Sequence, residues 1–170
     1  VSGLTSRGPW AHGLDAVPTD VVGVLRAIHS ELGGDERLTK SKSERPLRPD
    51  FLMPNGQIVE VDEIQHFTSD RVRSLAMYPA GASLGFDLGT YVGLCDRHRS
   101  SADRYRAAKT ASDFPSAGGR RAQRAFFDAA RDLLAPYLTG HPVVRAAAPE
   151  CDPGLAFARV REDLRLGGGA

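Results

Sequence analysis

The chain has little cysteine, little lysine and no long apolar run, and each shortage removes a class of protein. Two cysteines, Cys95 and Cys151, in 170 residues are too few for a disulfide framework, so a reducing compartment is the simpler setting. No stretch approaches the roughly 20 apolar residues that cross a bilayer. The opening VSGLTSRGPWAHG lacks the apolar segment of a secretory signal. The expectation is therefore a cytoplasmic protein with no membrane partner. The formal net charge is only +1, which argues against a polycation whose sole task is to coat nucleic acid. It leaves room for a protein whose carboxylates offset phosphate-binding cations. The lysines are Lys40, Lys42 and Lys109, and the other basic residues are arginine. Arginine suits bidentate phosphate contacts, although GC-rich coding produces the same bias. No Gly-x-x-x-x-Gly-Lys phosphate loop occurs, which argues against an NTPase.

What remains fits one domain with a single core. Residues 1–17 are Gly-, Pro- and Ser-containing with weak periodicity and read as an irregular arm. PTDVVGVLRAIHSELGG predicts a helix capped by Thr19 or Asp20, with Val21, Val22, Leu25, Ile28 and Leu32 at helical spacing and Gly33-Gly34 ending it. Residues 35–48 are polar and basic, a loop or a short edge strand. DFLMPNGQIVEVDE predicts a β-hairpin turning at Asn55-Gly56, with strands over 50–53 and 57–62. TSDRVRSLAMYP predicts a helix stopping before Pro79. Residues 80–90 are Gly-rich. YVGLC reads equally as a short strand or as the first turn of a helix leading into SADRYRAAK, and DFPSAGGR is a loop. RRAQRAFFDAARDLLAPYL predicts an amphipathic helix with Phe126, Phe127, Ala130, Leu133, Leu134 and Tyr137 inward. HPVVRAAAP predicts a last strand, DPGLAFARVREDLR a final helix, and the closing GGGA a flexible tail. This order implies an α/β (α+β) domain over residues 18–166, with a small mixed sheet and a central hairpin flanked by helices.

The chemistry concentrates in the hairpin. Strand alternation places Glu60 and Asp62 on one face and Val59 and Val61 on the other. Antiparallel pairing brings Asp50, at the start of the first strand, toward them. Three carboxylates on a central strand pair repel one another and cost desolvation energy unless a cation compensates. Hard oxygen ligands of this kind suit Mg²⁺ or Mn²⁺. Gln65 and His66 follow at once, adding a polar group and a candidate general acid or base. A solvated strand face is the alternative.

The segment RPD(50)FLMPNGQIVE(60)VD(62)EIQH(66)F resembles the PD-(D/E)XK, or restriction endonuclease-like, nuclease superfamily. Pro49-Asp50 matches the motif's first half and Glu60 its acidic position. Within it, the second strand looks most like the branch of the very-short-patch repair endonuclease. The resemblance covers about residues 20–78. It implies a Mg²⁺-dependent DNA endonuclease or nickase of bacterial defence or repair. By it, Asp50 and Glu60 hold the metal, and Glu31 of the first helix matches an extra acid present in some members. Asp62 stands where the motif has lysine. It adds negative charge where lysine would orient water, which favours a second or more tightly held cation. That departure keeps open a catalytically silent nucleic-acid-binding module, or a scaffold subunit of a larger complex. A homodimer, or a partner protein supplying target choice, is the corresponding expectation for partners.

Candidate phosphate contacts are Arg71 and Arg73 on the helix after the hairpin, and the cluster Arg120, Arg121, Arg124 behind Gly118-Gly119. Lys109 is a weaker one, and a solvated helix face is the alternative for each. Cys95, His98, His141 and Cys151 form a loose zinc candidate whose second pair is poorly spaced. His29 reads as a packing or surface residue. Trp10 reads as an anchor for the arm, with base stacking the alternative.

Overall fold

The computed structural model describes residues 3–149, together with Gly154 and Arg161. The final helix and tail expected from the sequence lie outside the described residues apart from those two positions, as does Cys151.

The N-terminal arm is irregular but anchored. Leu4 is buried, the backbone of Leu4 and Ser6 bonds to the 45–47 segment, and Gly8–Trp10 forms one 3₁₀ turn. Helix α1 spans Thr19–Glu31 and buries Val21, Leu25, Ile28 and His29 along one face, as its apolar spacing requires. Pro18 stands at its N-cap and no side chain caps it; Asp20 Oδ1 accepts from the Val21 amide at 2.9 Å instead. At its end Gly34 passes so close to the His29 ring that a Cβ there would sit 2.3 Å from it. Residues 36–41 are not a loop or an edge strand but a short helix, α2 (Glu36–Ser41). Its cause is local: Asp35 accepts from the Arg37 and Leu38 amides, satisfying two donors of the first turn.

The hairpin forms with strands β1 (Phe51–Leu52) and β2 (Ile58–Asp62). Gly56 turns the chain at φ +89°, and Met53 and Gln57 close the turn through a 2.9 Å backbone bond. Phe51 pairs with Val59 and Leu52 with Ile58. Strand β3 (Val144–Ala147) runs parallel to β2, giving a mixed sheet in the order β1-β2-β3.

Between β2 and β3 come α3 (Ser69–Leu75), α4 (Leu88–Ala102) and α5 (Gly119–Thr139). YVGLC is helical. Asp87 caps α4 through the Thr90 amide at 2.7 Å, and Tyr91, Leu94, Cys95 and Ala102 are buried. Helix α5 packs on α1 and α3. Phe126, Ala130, Leu133 and Leu134 are buried as expected, and Phe127 is half-buried. Tyr137 corrects the reading, being exposed beyond the edge of the core. Asp128 and Asp132 are buried on the same helix, one turn apart. The fold is mixed α/β with a three-stranded sheet, and no described helix is long and apolar enough to cross a membrane.

Candidate functional site

Continuing the β1–β2 register by one residue sets Asp50 across from Glu60. Asp50 Oδ2 accepts from the Val61 amide at 2.8 Å, which fixes the carboxylate at the strand's edge. Glu60 points from the central strand toward α5 and is 4% exposed. Both line an open cleft of about 600 Å³, whose wall on α5 carries Arg124, Asp128 and Arg131.

The cleft floor is electrostatically unfinished. Arg131 Nε lies 3.2 Å from Glu60 Oε1, but the approach is not aligned as a hydrogen bond, and both atoms are buried without one. Asp128 Oδ1 is in the same condition, 3.6 Å from Arg131 and 3.7 Å from Arg145. Burial pushes the Glu60 carboxyl up to about 7, against the pull of Arg131 and Arg145. Beside it, His66 Nδ1 and Asp128 Oδ2 share a 2.9 Å hydrogen bond. Burial alone would lower the His66 pKa. The charge and hydrogen bond of Asp128, with help from Asp62, overcome that and hold it above its ordinary value. In return His66 and Arg145 keep Asp128 ionised against its own burial.

Asp62 belongs to the interior under the cleft. Arg145 Nη1 donates to both its oxygens, at 2.8 and 2.9 Å, and the Tyr91 hydroxyl donates at 2.6 Å. Arg145 Nε donates to Asp132 Oδ1 at 2.8 Å, and Asp132 Oδ2 accepts from Arg71 at 2.6 Å and from Tyr78 at 2.7 Å. Two buried guanidiniums thus face three buried carboxylates, those of Asp62, Asp128 and Asp132. His66, at the cleft end of this network, adds a third positive charge when protonated. The expected group of three converging carboxylates therefore reduces to Asp50 and Glu60, because Asp62 has spent its lone pairs on Arg145 and Tyr91. Among the described residues, no three His, Cys, Asp or Glu side chains gather as a ready metal site.

The remaining sequence candidates divide. Gln65, Arg120 and Arg124 line the cleft. Gln65 bonds to Glu63, Arg120 to Gln123, and Arg124 Nη1 donates to the Gln65 carbonyl at 3.3 Å. Arg71 is fully buried on Asp132 and Tyr78 and reaches no phosphate. Glu31, Arg73 and Arg121 surround a separate cavity of about 260 Å³. There Arg73 pairs with Glu31 and Asp70, and Arg121 with Asp70. Glu31 is thus a partner of Arg73 rather than a neighbour of Asp50. His29 is packed among Trp10, Phe114 and Phe126, bonds to Thr39, and is lowered to about 4, chiefly by burial. Trp10 is the arm's anchor through that contact. Cys95 is buried in α4, where burial pushes its thiol up to about 12, and Cys151 of the zinc candidate lies outside the described residues.

Sequence reasoning missed Asp128, Arg131 and Arg145. The available signal was charge at inward positions: Asp128 and Asp132 interrupt the apolar face of FFDAARDLL, and Arg145 interrupts VVRAA. Charges so placed need partners, and His66 for Asp128, Arg71 for Asp132 and Asp62 for Arg145 come from distant parts of the chain. In comparisons with known proteins, no family model, curated protein or solved structure matches the chain.

Proposed function

We propose that the cleft is the active site of a Mg²⁺-dependent phosphodiesterase acting on nucleic acid, with DNA the expected substrate. The observation that carries this reading is the group of charged, buried and unsatisfied atoms on the cleft floor: Glu60 Oε1, Asp128 Oδ1 and Arg131 Nε. Native proteins leave few such atoms, and a ligand that brings both a cation and phosphate oxygens would satisfy all three.

Asp50 and Glu60 fit a divalent cation of the Mg²⁺ or Mn²⁺ type. One is fixed at the strand edge with an oxygen to spare, the other has an orphaned oxygen, and Mg²⁺ is commonly held by one or two carboxylates with water and phosphate completing its shell. When bound, such an ion supplies Lewis-acid stabilisation of the charge that develops on the phosphoryl group. Arg131 brings to the floor the positive charge that the motif's lysine would have supplied, from α5 rather than from the Asp62 position. Arg120 and Arg124 flank the path of the backbone phosphates. His66, held through Nδ1 by Asp128 and with its pKa raised above the ordinary value, would give a proton to the oxygen that leaves as water attacks phosphorus and the P–O bond breaks. Asp128 positions it.

Incubation of the protein with Mg²⁺ or Mn²⁺ and labelled single- and double-stranded DNA tests this reading. Wild type is expected to cut. Asp50→Asn and Glu60→Gln are each expected to lose cleavage by at least about 100-fold while keeping the wild-type melting temperature or exceeding it. Cleavage that survives both substitutions contradicts the proposal. Salt-sensitive binding without cutting under any metal favours the silent binding module, a reading supported by the commitment of Asp62 to Arg145.

A further inference from the structure

The lip of the cleft carries an exposed aromatic ring. Phe51 directly follows Asp50, lines the cleft, and is 58% exposed. Leaving a phenylalanine in water forfeits much of the stabilisation that burial would give it. Val61, also at the lip and 37% exposed, lies on the same sheet face as Phe51, since Phe51 pairs with Val59; the same register puts Asp50 and Glu60 on the other face, just across the edge strand. Around this apolar edge stand Arg48, Arg120 and Arg124. An exposed ring at the lip of an arginine-bearing cleft is a combination that binds unpaired nucleotides: cations follow the backbone and the ring takes the face of a base.

The depth of the site argues in the same direction. Glu60 is 4% exposed at the cleft floor, so a scissile phosphate must descend to meet it. The cleft, at about 600 Å³, has the capacity of a small-ligand pocket. That accommodates a nucleotide or two of a bending strand. A duplex is stiff over roughly 150 base pairs and presents its bases edge-on, with no free base face for Phe51.

Resting on the phosphodiesterase reading above, we infer that the cleft takes unpaired nucleic acid, with Phe51 the platform on which a base stacks where the strand passes over the β1 edge, across that edge from the phosphate held over Asp50 and Glu60. Phe51 is then a specificity-determining residue. It selects strand state rather than sequence, because every base has a stackable face.

Fluorescence anisotropy tests this with the full chain, an oligothymidylate of about 12 nucleotides and the same strand annealed to oligodeoxyadenylate, in Ca²⁺ to suppress cleavage. The single strand is expected to bind at least about 10-fold tighter than the duplex. Phe51→Ala is expected to lower single-strand affinity by roughly 10-fold and leave duplex affinity unchanged, while Phe51→Trp retains or improves it. Phe51→Leu separates stacking from bulk and is expected to behave like Phe51→Ala. Equal or tighter binding of the duplex overturns the inference, as does unchanged single-strand binding by Phe51→Ala; in either case the phosphodiesterase reading stands. No binding of either oligonucleotide overturns that reading and this inference with it.

Discussion

At the scale of single residues, Glu60 is the least conventional group in the molecule. An acid raised to about 7 by burial is more readily protonated folded than unfolded. Between its ordinary value near 4.5 and about 7, the folded state binds the extra proton, so stability contributed by this site falls as pH rises. Above about 7 the penalty of a buried charge is present in full, at about 3 kcal/mol. Glu60→Gln is therefore expected to raise the melting temperature at pH 8 and to change it little at pH 5. Thermal unfolding at the two pH values measures this; a variant less stable than wild type at pH 8 would show that the carboxylate stabilises the fold. His66 has the same sign of pH dependence from a different cause, an ion pair gained rather than a charge buried. Its raised pKa means that the pair with Asp128 stabilises fully below the ordinary histidine value and is lost as pH rises through the raised one. Asp128→Asn removes the charge and keeps the shape. NMR titration of the His66 ring is expected to show its pKa falling below that in the wild type; an unchanged pKa would mean that Asp128 does not govern the imidazole.

At the scale of elements, the site is a hairpin laid against one long helix, and the two were unequally legible. The Asn55-Gly56 turn and the alternation of Ile58, Val59, Val61 are local signals, so the hairpin and the Asp50–Glu60 pairing follow from short-range rules. What α5 contributes to the cleft depends on a contact between residues some 70 positions apart, exemplified by Glu60 and Arg131. Amphipathic periodicity shows which side of α5 faces inward but not that Asp128 and Asp132 are to be paired there. The same limit separates Arg71 from Arg124. Both look like free cations on a helix, but Arg71 meets Asp132 and Tyr78 in the interior while Arg124 lines the cleft. Arg71→Ala, which leaves the buried Asp132 carboxylate with Arg145 as its one charged partner beside the Tyr78 hydroxyl, is expected to cost about 3–5 kcal/mol in denaturant unfolding. Arg124→Ala is expected to leave stability within about 1 kcal/mol. Equal effects of the two would contradict the division between interior and cleft. The short α2 and the helical start of α4 were unresolvable in sequence for a different reason: segments this short give periodicity too few turns to register.

At the scale of the whole molecule, the charges are arranged in layers. A neutralised network of Arg71, Asp132, Arg145 and Asp62 lies beneath, His66, Asp128, Arg131 and Glu60 form a partly satisfied layer above it, and Asp50 opens to solvent. The buried layer gives the upper one fixed positions. The upper layer keeps the unspent bonding capacity that a ligand requires. The central claim is that this unspent capacity is for a divalent cation on Asp50 and Glu60. Calorimetric titration of Mn²⁺ into wild type and Glu60→Gln, each with and without a non-cleavable oligonucleotide, tests it most directly. The account expects binding by the wild type, strengthened by the oligonucleotide, and its loss in Glu60→Gln. Equal binding by the two proteins, or no binding by the wild type even with the oligonucleotide present, would contradict it.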